Sequence, residues 1–263
     1  MTRFPTVFIS HGSPLVMIDP ELPGQALRQL GQQLQDRLPP IQAILVLSAH
    51  WLTSTPTVST ASQPEIIYDF YGFPAELYHL VYPAPGAPDL AAEIAHHLTA
   101  AGIDVTQQPH GLDHGAWMPL SLMFPQANIP VLQLSIQPRL NPEHHWRLGE
   151  ALQQLRDQGV LIIGSGQLTH NLRDLDFRAA SGASQPWAVE FANWMQQQIE
   201  HSDKEALWNY RLQAPHAARA HPTDEHLLPL FAAMGAAGAA PQVEHLPLGF
   251  SYGTLAWDSY LFW

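Results

Sequence analysis

Three histidines stand where a short apolar run gives way to a turn. In "TVFISHGSPL" (6–15) the run stops at His11, ahead of Gly12-Ser13-Pro14. In "AILVLSAHW" (43–51) it stops just before His50, and in "VLIIGSGQLTHN" (160–171) His170 follows within a few residues. A neutral imidazole is a metal ligand, and near pH 7 it is also a proton donor or acceptor. Cysteine is absent, so disulfides and thiolate ligands are excluded, and a metal would be held by His, Asp or Glu. Two further stretches offer the same chemistry. "PTDEH" (222–226) sets Glu225 beside His226, and "DHG" (113–115) sets Asp113 beside His114. A carboxylate next to an imidazole orients the ring and tunes its basicity.

Each of these also has a plain structural reading. The chain has 15 histidines, so one at a strand end means little, whereas three at matching positions point to a shared site. Thr223 and Asp113 are good helix caps, and Glu225 suits a first helical turn. His226 is less easily explained that way, because the helix dipole disfavours a cation there and tolerates a neutral, metal-bound ring. His96, His97, His144 and His145 fall in amphipathic helical stretches and read as solvated. His201, His216 and His245 lie in polar or loop segments without a pattern.

The elements that must position these residues are legible as periodicities. Apolar runs at 6–10, 43–49, 129–136 and 160–166 read as buried strands, with further strands at 103–107 and 251–257. Helical spacing or helix signals mark 25–37, 87–102, 114–124, 141–159, 185–200 and 222–238. Asn141 and Pro142 start the fourth of these and Gly159 stops it; Thr223 caps the last. Strands alternating with helices imply an α/β fold, a single domain over residues 1–263. Its central, mostly parallel sheet is flanked by helices on both faces. In such sheets ligands bind beyond the carboxyl ends of the strands. If the strands before His11, His50 and His170 are parallel neighbours, those rings converge on one crevice.

The formal charge is −12, from 11 basic and 23 acidic residues. That argues against nucleic acid and anionic membrane as partners, since both need basic surface. No apolar run approaches the roughly 20 residues needed to span a bilayer. The N-terminal "MTRFPTVFIS" has too short an apolar stretch for a signal peptide, so a cytoplasmic protein is expected. A lone lysine, Lys204, argues against Schiff-base chemistry. The short signatures H-E-x-x-H, G-x-x-x-x-G-K-[ST] and G-x-S-x-G are absent.

"HGSP", "SAHW", "DHGAW", "THN" and "PTDEH" occur in this order, with "YDFYGFP" (68–74) and "YPAPG" (82–86) between. Together they resemble the protocatechuate 4,5-dioxygenase-type (class III) extradiol ring-cleaving dioxygenases, and within them the DOPA 4,5-dioxygenase branch in a bacterial form. The likeness runs from His11 to about Tyr252. It implies a non-haem Fe(II) site with His11 and His50 as ligands and a third ligand from "PTDEH". His226 is the matching position, with Glu225 as the carboxylate alternative. It implies that His170 is the acid-base residue near the metal, within reach to be a fourth ligand in a resting or zinc-loaded enzyme. His114 would sit near the substrate. The implied reaction opens the ring of a catechol such as DOPA with O2 to give a muconic semialdehyde. Arg173 and Arg139 are candidates for a substrate carboxylate. From the residues alone, the same cluster would also serve a zinc-dependent hydrolase or amidase that activates water.

Overall fold

A strand made wholly of apolar residues is stable only with both faces covered, and the histidine-bearing strands meet that demand. The computed structural model describes residues 3–19, 22–180 and 182–263; Met1 and Thr2, part of the leader question above, lie outside them. The chain runs through β1 (Thr6–Ser10), α1 (Gly24–Arg37), β2 (Ala43–Ser48), β3 (Thr57–Ser59), α2 (Pro88–Ala100), β4 (Thr106–Gln108) and α3 (His114–Met123). It continues with β5 (Val131–Gln133), α4 (Pro142–Glu150), β6 (Val160–Gly166), α5 (Pro186–Glu200) and the short helices α6 (Lys204–Trp208), α7 (Tyr210–Gln213) and α8 (Ala217–Ala220). It ends with α9 (Leu228–Ala237), β7 (Val243–Leu246), β8 (Phe250–Ser251), β9 (Leu255–Ala256) and β10 (Ser259–Phe262).

The main sheet has the order β5-β2-β6-β1-β10-β7. β5, β2, β6 and β1 are parallel, while β10 and β7 add an antiparallel edge. Period-two alternation sends side chains into two separate cores. Val7, Ile9, Ile44, Val46, Leu161 and Ile163 face a layer that includes Leu27 and Leu30 of α1 and Trp117 of α3. Phe8, Leu45, Leu47 and Ile162 face the opposite layer, with Trp146 of α4, Phe191 of α5 and Phe231 of α9. The chain is thus a single α/β domain of the kind expected. Because β6 lies between β2 and β1, all three strands end side by side at one edge. Among the described residues no helix is long and apolar enough to cross a membrane.

Several local expectations change. The last large helix starts at Leu228 rather than near Thr223, with Pro229 in its first turn. The Thr223 hydroxyl donates to Glu225 Oε1 (3.1 Å) instead of capping the helix, so "PTDEH" is a turn ahead of it. Residues 141–159 form α4 followed by a separate 3-10 turn at Gln153–Gln158, closed by Gly159 at φ 81°. Asn141 does cap α4, accepting from the His144 N–H at 3.0 Å. The strand expected at 103–107 forms as Thr106–Gln108, paired only with β3. The final sheet strand is β10, not 251–257, which makes a small hairpin of β8 and β9.

His145 is a correction with an energetic consequence. It is not solvated but fully buried. Its Nδ1 lies 3.0 Å from the Asn141 carbonyl, and its Nε2 accepts the Gln137 N–H at 3.2 Å. Burial is the main reason that its pKa falls to about 3. An unfolded histidine titrates near 6.5, so between those values the unfolded chain binds more protons than the folded one. The stabilisation is complete above pH 6.5 and is lost as pH falls towards 3. Urea midpoints measured at pH 7, 6 and 5 are expected to fall. In a His145→Gln variant the pH slope should be shallower by about 1.4 kcal/mol per pH unit on the acid side of 6.5. An unchanged slope would contradict the buried neutral ring.

Candidate metal centre and its cavity

The turns after β1, β2 and β6 and the turn before α9 deliver their histidines to one place. Nitrogens of His11, His50 and His226 all lie within 4.8 Å of one another. The ring centroids are 5.0 Å apart for His11 and His50, 5.5 Å for His11 and His226, and 4.9 Å for His50 and His226. His11 and His226 are almost fully buried.

Hydrogen-bond partners set the tautomers. The Ser165 hydroxyl donates to the Gly115 carbonyl (2.5 Å), so its oxygen must accept from His11 Nδ1–H at 2.9 Å. His50 Nδ1 lies 3.4 Å from Asp69 Oδ2, and His226 Nδ1 lies 3.1 Å from Glu225 Oε1. An acceptor holds the Nδ1–H of His11 and of His226, leaving each Nε2 a lone pair free to ligate, the usual arrangement behind metal-bound imidazoles, while Asp69 faces His50 Nδ1 as a charge partner that favours the same tautomer. His50 Nε2 and His11 Nε2 are 3.1 Å apart. Two bare lone pairs repel at that separation, whereas nitrogens about 2.0–2.1 Å from one ion lie roughly 3.0–3.4 Å apart. The donor set therefore fits a metal.

Burial is the largest cause holding His11 and His226 well below the ordinary histidine pKa, with neighbouring histidines adding to it. Burial also brings His50 down to about 3, with His114 adding and Asp69 opposing. The rings are neutral at pH 7, as ligands must be. Burial pushes the Asp69 carboxyl up, but His114, through side chain and main chain, and His50 outweigh it and hold it below its usual range.

His114 and His170 border the triad without joining it. The His114 ring is 3.9 Å from that of His50. Its Nδ1 lies 3.0 Å from Asp69 Oδ1 but off the line of a hydrogen bond, so that contact is electrostatic; the His114 main-chain N–H makes the hydrogen bond to Asp69 at 2.9 Å. Of the two readings open for Asp113, imidazole partner or helix cap, the second holds: it caps α3 and accepts from Ser48 at 2.6 Å. His170 lies parallel on His226, with centroids 3.4 Å apart. Its nitrogen groups with Glu225 and His226, not with His11 and His50. Burial, then His221 and His114, lower its pKa to about 3.

All five histidines line a cavity of about 520 Å³ whose remaining walls are mostly apolar, Phe70, Phe73 and Leu255 among them. A larger recess, about 760 Å³, lies elsewhere, over Thr55, Asp104 and Arg147. It has only His144 of the histidines and no convergent ligand set. Arg139 borders a third, separate recess, and Arg173 is not among the residues lining the histidine cavity.

Sequence reasoning assigned no role to Asp69, Ser165 or Gly166. An aspartate set among aromatics in "YDFYGF" was the available signal for Asp69, since a buried carboxylate needs partners. Gly166 matters for close approach: a Cβ there would sit 2.0 Å from the His226 carbonyl oxygen, which accepts the Gln167 N–H at 2.9 Å. Gly166→Ala is therefore expected to push the His226 turn away. It should weaken metal affinity by about tenfold or more, in the range seen when ligand supports are lost. Metal retained after dialysis, read beside the thermal midpoint, separates this from general unfolding. Full retention would contradict the contact.

A histidine cluster able to hold a metal ion at the strand ends of a largely parallel α/β sheet, opening on a mostly apolar cavity, is the arrangement of a metalloenzyme site. The chain matches the catalytic LigB subunit of aromatic ring-opening dioxygenase over residues 5–262 and belongs to that family, as an extradiol ring-opening dioxygenase. It is 43% identical to the 4,5-DOPA dioxygenase extradiol of Beta vulgaris, covering 98% of this chain and 96% of that one. It is 37% identical to the protein of the same description from Escherichia coli K12, over 89% and 86% of the two chains. A crystal structure of an uncharacterized Escherichia coli K12 protein superposes with a TM-score of 0.81 at 32% identity, over 98% and 99% of the chains. Membership in this family replaces the hydrolase alternative.

Proposed function

We propose that this enzyme uses Fe(II) to open the ring of a catechol such as DOPA with O2, releasing a muconic semialdehyde. The observation that carries the reading is the convergence of three neutral imidazoles, two of them hydrogen-bonded at Nδ1 and the third facing Asp69, on one end of a mostly apolar cavity. His11, His50 and His226 are the residues that would hold the metal. Bound ferrous iron supplies the electron path between catechol and oxygen that redox-inert zinc cannot.

The chain's own residues perform the remaining tasks. His170, beside His226 on the cavity wall, accepts a proton from a substrate hydroxyl and returns it as the ring opens. His114 offers its Nε2 to a substrate oxygen, while Asp69 sets its spacing from His50. The apolar walls keep bulk water from the reacting ring.

Zinc outcompetes ferrous iron at many nitrogen sites, so purified protein can carry Zn(II). The test is anaerobic loading with Fe(II), then admission of O2 with L-DOPA and a panel of catechols. Oxygen uptake matching the appearance of a yellow product is expected, with none from zinc-loaded enzyme. Enzyme holding one iron per chain that consumes no oxygen with any catechol overturns the proposal.

A further inference from the structure

The main chains of His11 and His226 meet at a single peptide group. The Gly166 carbonyl accepts the His11 N–H at 2.9 Å, and the Gln167 N–H donates to the His226 carbonyl at 2.9 Å. Carbonyl and N–H belong to the same peptide unit, between Gly166 and Gln167. A trans peptide is planar and stiff, and its two polar groups point opposite ways. The plane of this one unit therefore sets how far apart the backbones of the two ligands stand, and a tilt of that plane moves both.

The side chain of Gln167 is what orients the plane. It is buried, and both ends of its amide are bonded to main chain from separate segments. Oε1 accepts the Gly12 N–H at 2.9 Å, and Nε2 donates to the Ala256 carbonyl in β9. Gly12 follows His11 and leaves the strand at φ 66°, so its N–H takes an acceptor outside the β-ladder. Turning the Gln167 amide would strand a buried donor and a buried acceptor, each at a cost of about 1–3 kcal/mol. Thr169, two residues on, grips the same hairpin: its hydroxyl donates to the Thr254 carbonyl and accepts the Ala256 N–H. It bonds to no part of His11, Gly12 or His226. Gln167 also lines the histidine cavity, and neither the metal set nor the proton-transfer roles above use it.

We propose that Gln167 is a positioning residue for the metal centre: its amide locks the 166–167 peptide, and through that peptide it fixes the separation of His11 and His226. It acts through the two ligands and not as one of them. The inference rests on the metal-holding role given to His11 and His226, and it is independent of which catechol is opened.

The test measures Kd for Zn(II) and Co(II) by competition with a chromophoric chelator, at a temperature below the thermal midpoint of each metal-free protein. Gln167→Met fills the space of the amide without its hydrogen bonds. It is expected to weaken metal affinity by about 10–100-fold, as when outer partners of ligands are lost, and to change the visible absorption of bound Co(II). Thr169→Val cuts two bonds to the same hairpin. It is expected to lower the thermal midpoint while leaving the metal Kd within about threefold and the Co(II) spectrum unchanged. Gln167→Asn keeps the amide but is one methylene too short to span Gly12 and Ala256; it carries the test where the methionine variant does not fold, with the same loss expected. A Gln167 variant whose affinity stays within about threefold of the unaltered protein overturns the inference, as does an equal loss in Thr169→Val. Unaltered protein that takes up no ion overturns the metal reading and the inference with it, whereas normal uptake there beside an unmoved Gln167 variant removes the positioning role alone.

Discussion

A His226→Ala enzyme is expected to retain less than about a tenth of the metal held by the unaltered protein and to lose ring opening with it, whereas Glu225→Gln keeps the metal with an affinity about 10–100-fold lower. The two residues are adjacent, and both could bind an ion by type. The geometry divides the roles. His226 places a nitrogen with those of His11 and His50, while Glu225 groups only with His226 and His170. Glu225 Oε1 sits 3.1 Å from His226 Nδ1, where a carboxylate accepts the ring proton and directs the other nitrogen inward. Glutamine at 225 keeps an oxygen able to accept that proton but loses the charge that raises ligand basicity, so affinity falls without vanishing. Metal per chain after dialysis against a chelator series, read beside the thermal midpoint with and without Fe(II), checks both. Stoichiometric metal in His226→Ala together with its loss in Glu225→Gln would make the carboxylate the ligand.

The sheet strands that carry the site were legible because parallel, doubly covered strands are continuous apolar runs. β1 and β6 coincide with the runs at 6–10 and 160–166, and β2 ends one residue before its run. A histidine directly after such a run has one place to go in this fold, the carboxyl edge of the sheet. β10, "SYLF", was not legible, since its pairing with β1 depends on a contact some 250 residues distant along the chain. The start of α9 was misplaced because threonine followed by acidic residues signals a helix cap and a tight turn alike; Pro229 was the better marker of the first helical turn. His145 escaped notice for a related reason. Helical periodicity puts a residue on a face but does not say what covers that face, and here the Gln137 main chain does. Asp69 comes from a loop, where no period exists to read. Its role appears only when β2 and α3 bring His50 and His114 to either side of it.

His170→Gln is expected to lower kcat by about 10²–10⁴-fold, the usual contribution of a positioned acid-base group, while leaving metal stoichiometry and the anaerobic Kd for catechol within about threefold. The argument is one of position. His170 lies flat on His226 at 3.4 Å, and it lines the same cavity as the three convergent rings. A ring stacked face to face on a ligand holds its in-plane lone pairs in a parallel plane, so an ion lying in the plane of one ring sits well off the plane of the other. That placement favours the proton-transfer role proposed for it over coordination. Its main-chain N–H is fixed by the Ala220 carbonyl at 2.9 Å, so glutamine can occupy the same space with similar polarity and no capacity to carry a proton at neutral pH. The fall should appear in kcat far more than in KM, because an interaction made only as the ring reacts does not help hold the ground state. Loss of metal in this variant would instead make His170 a fourth ligand. Full turnover with metal retained would leave proton transfer to His114, whose ring lies 3.9 Å from that of His50 and beside Asp69.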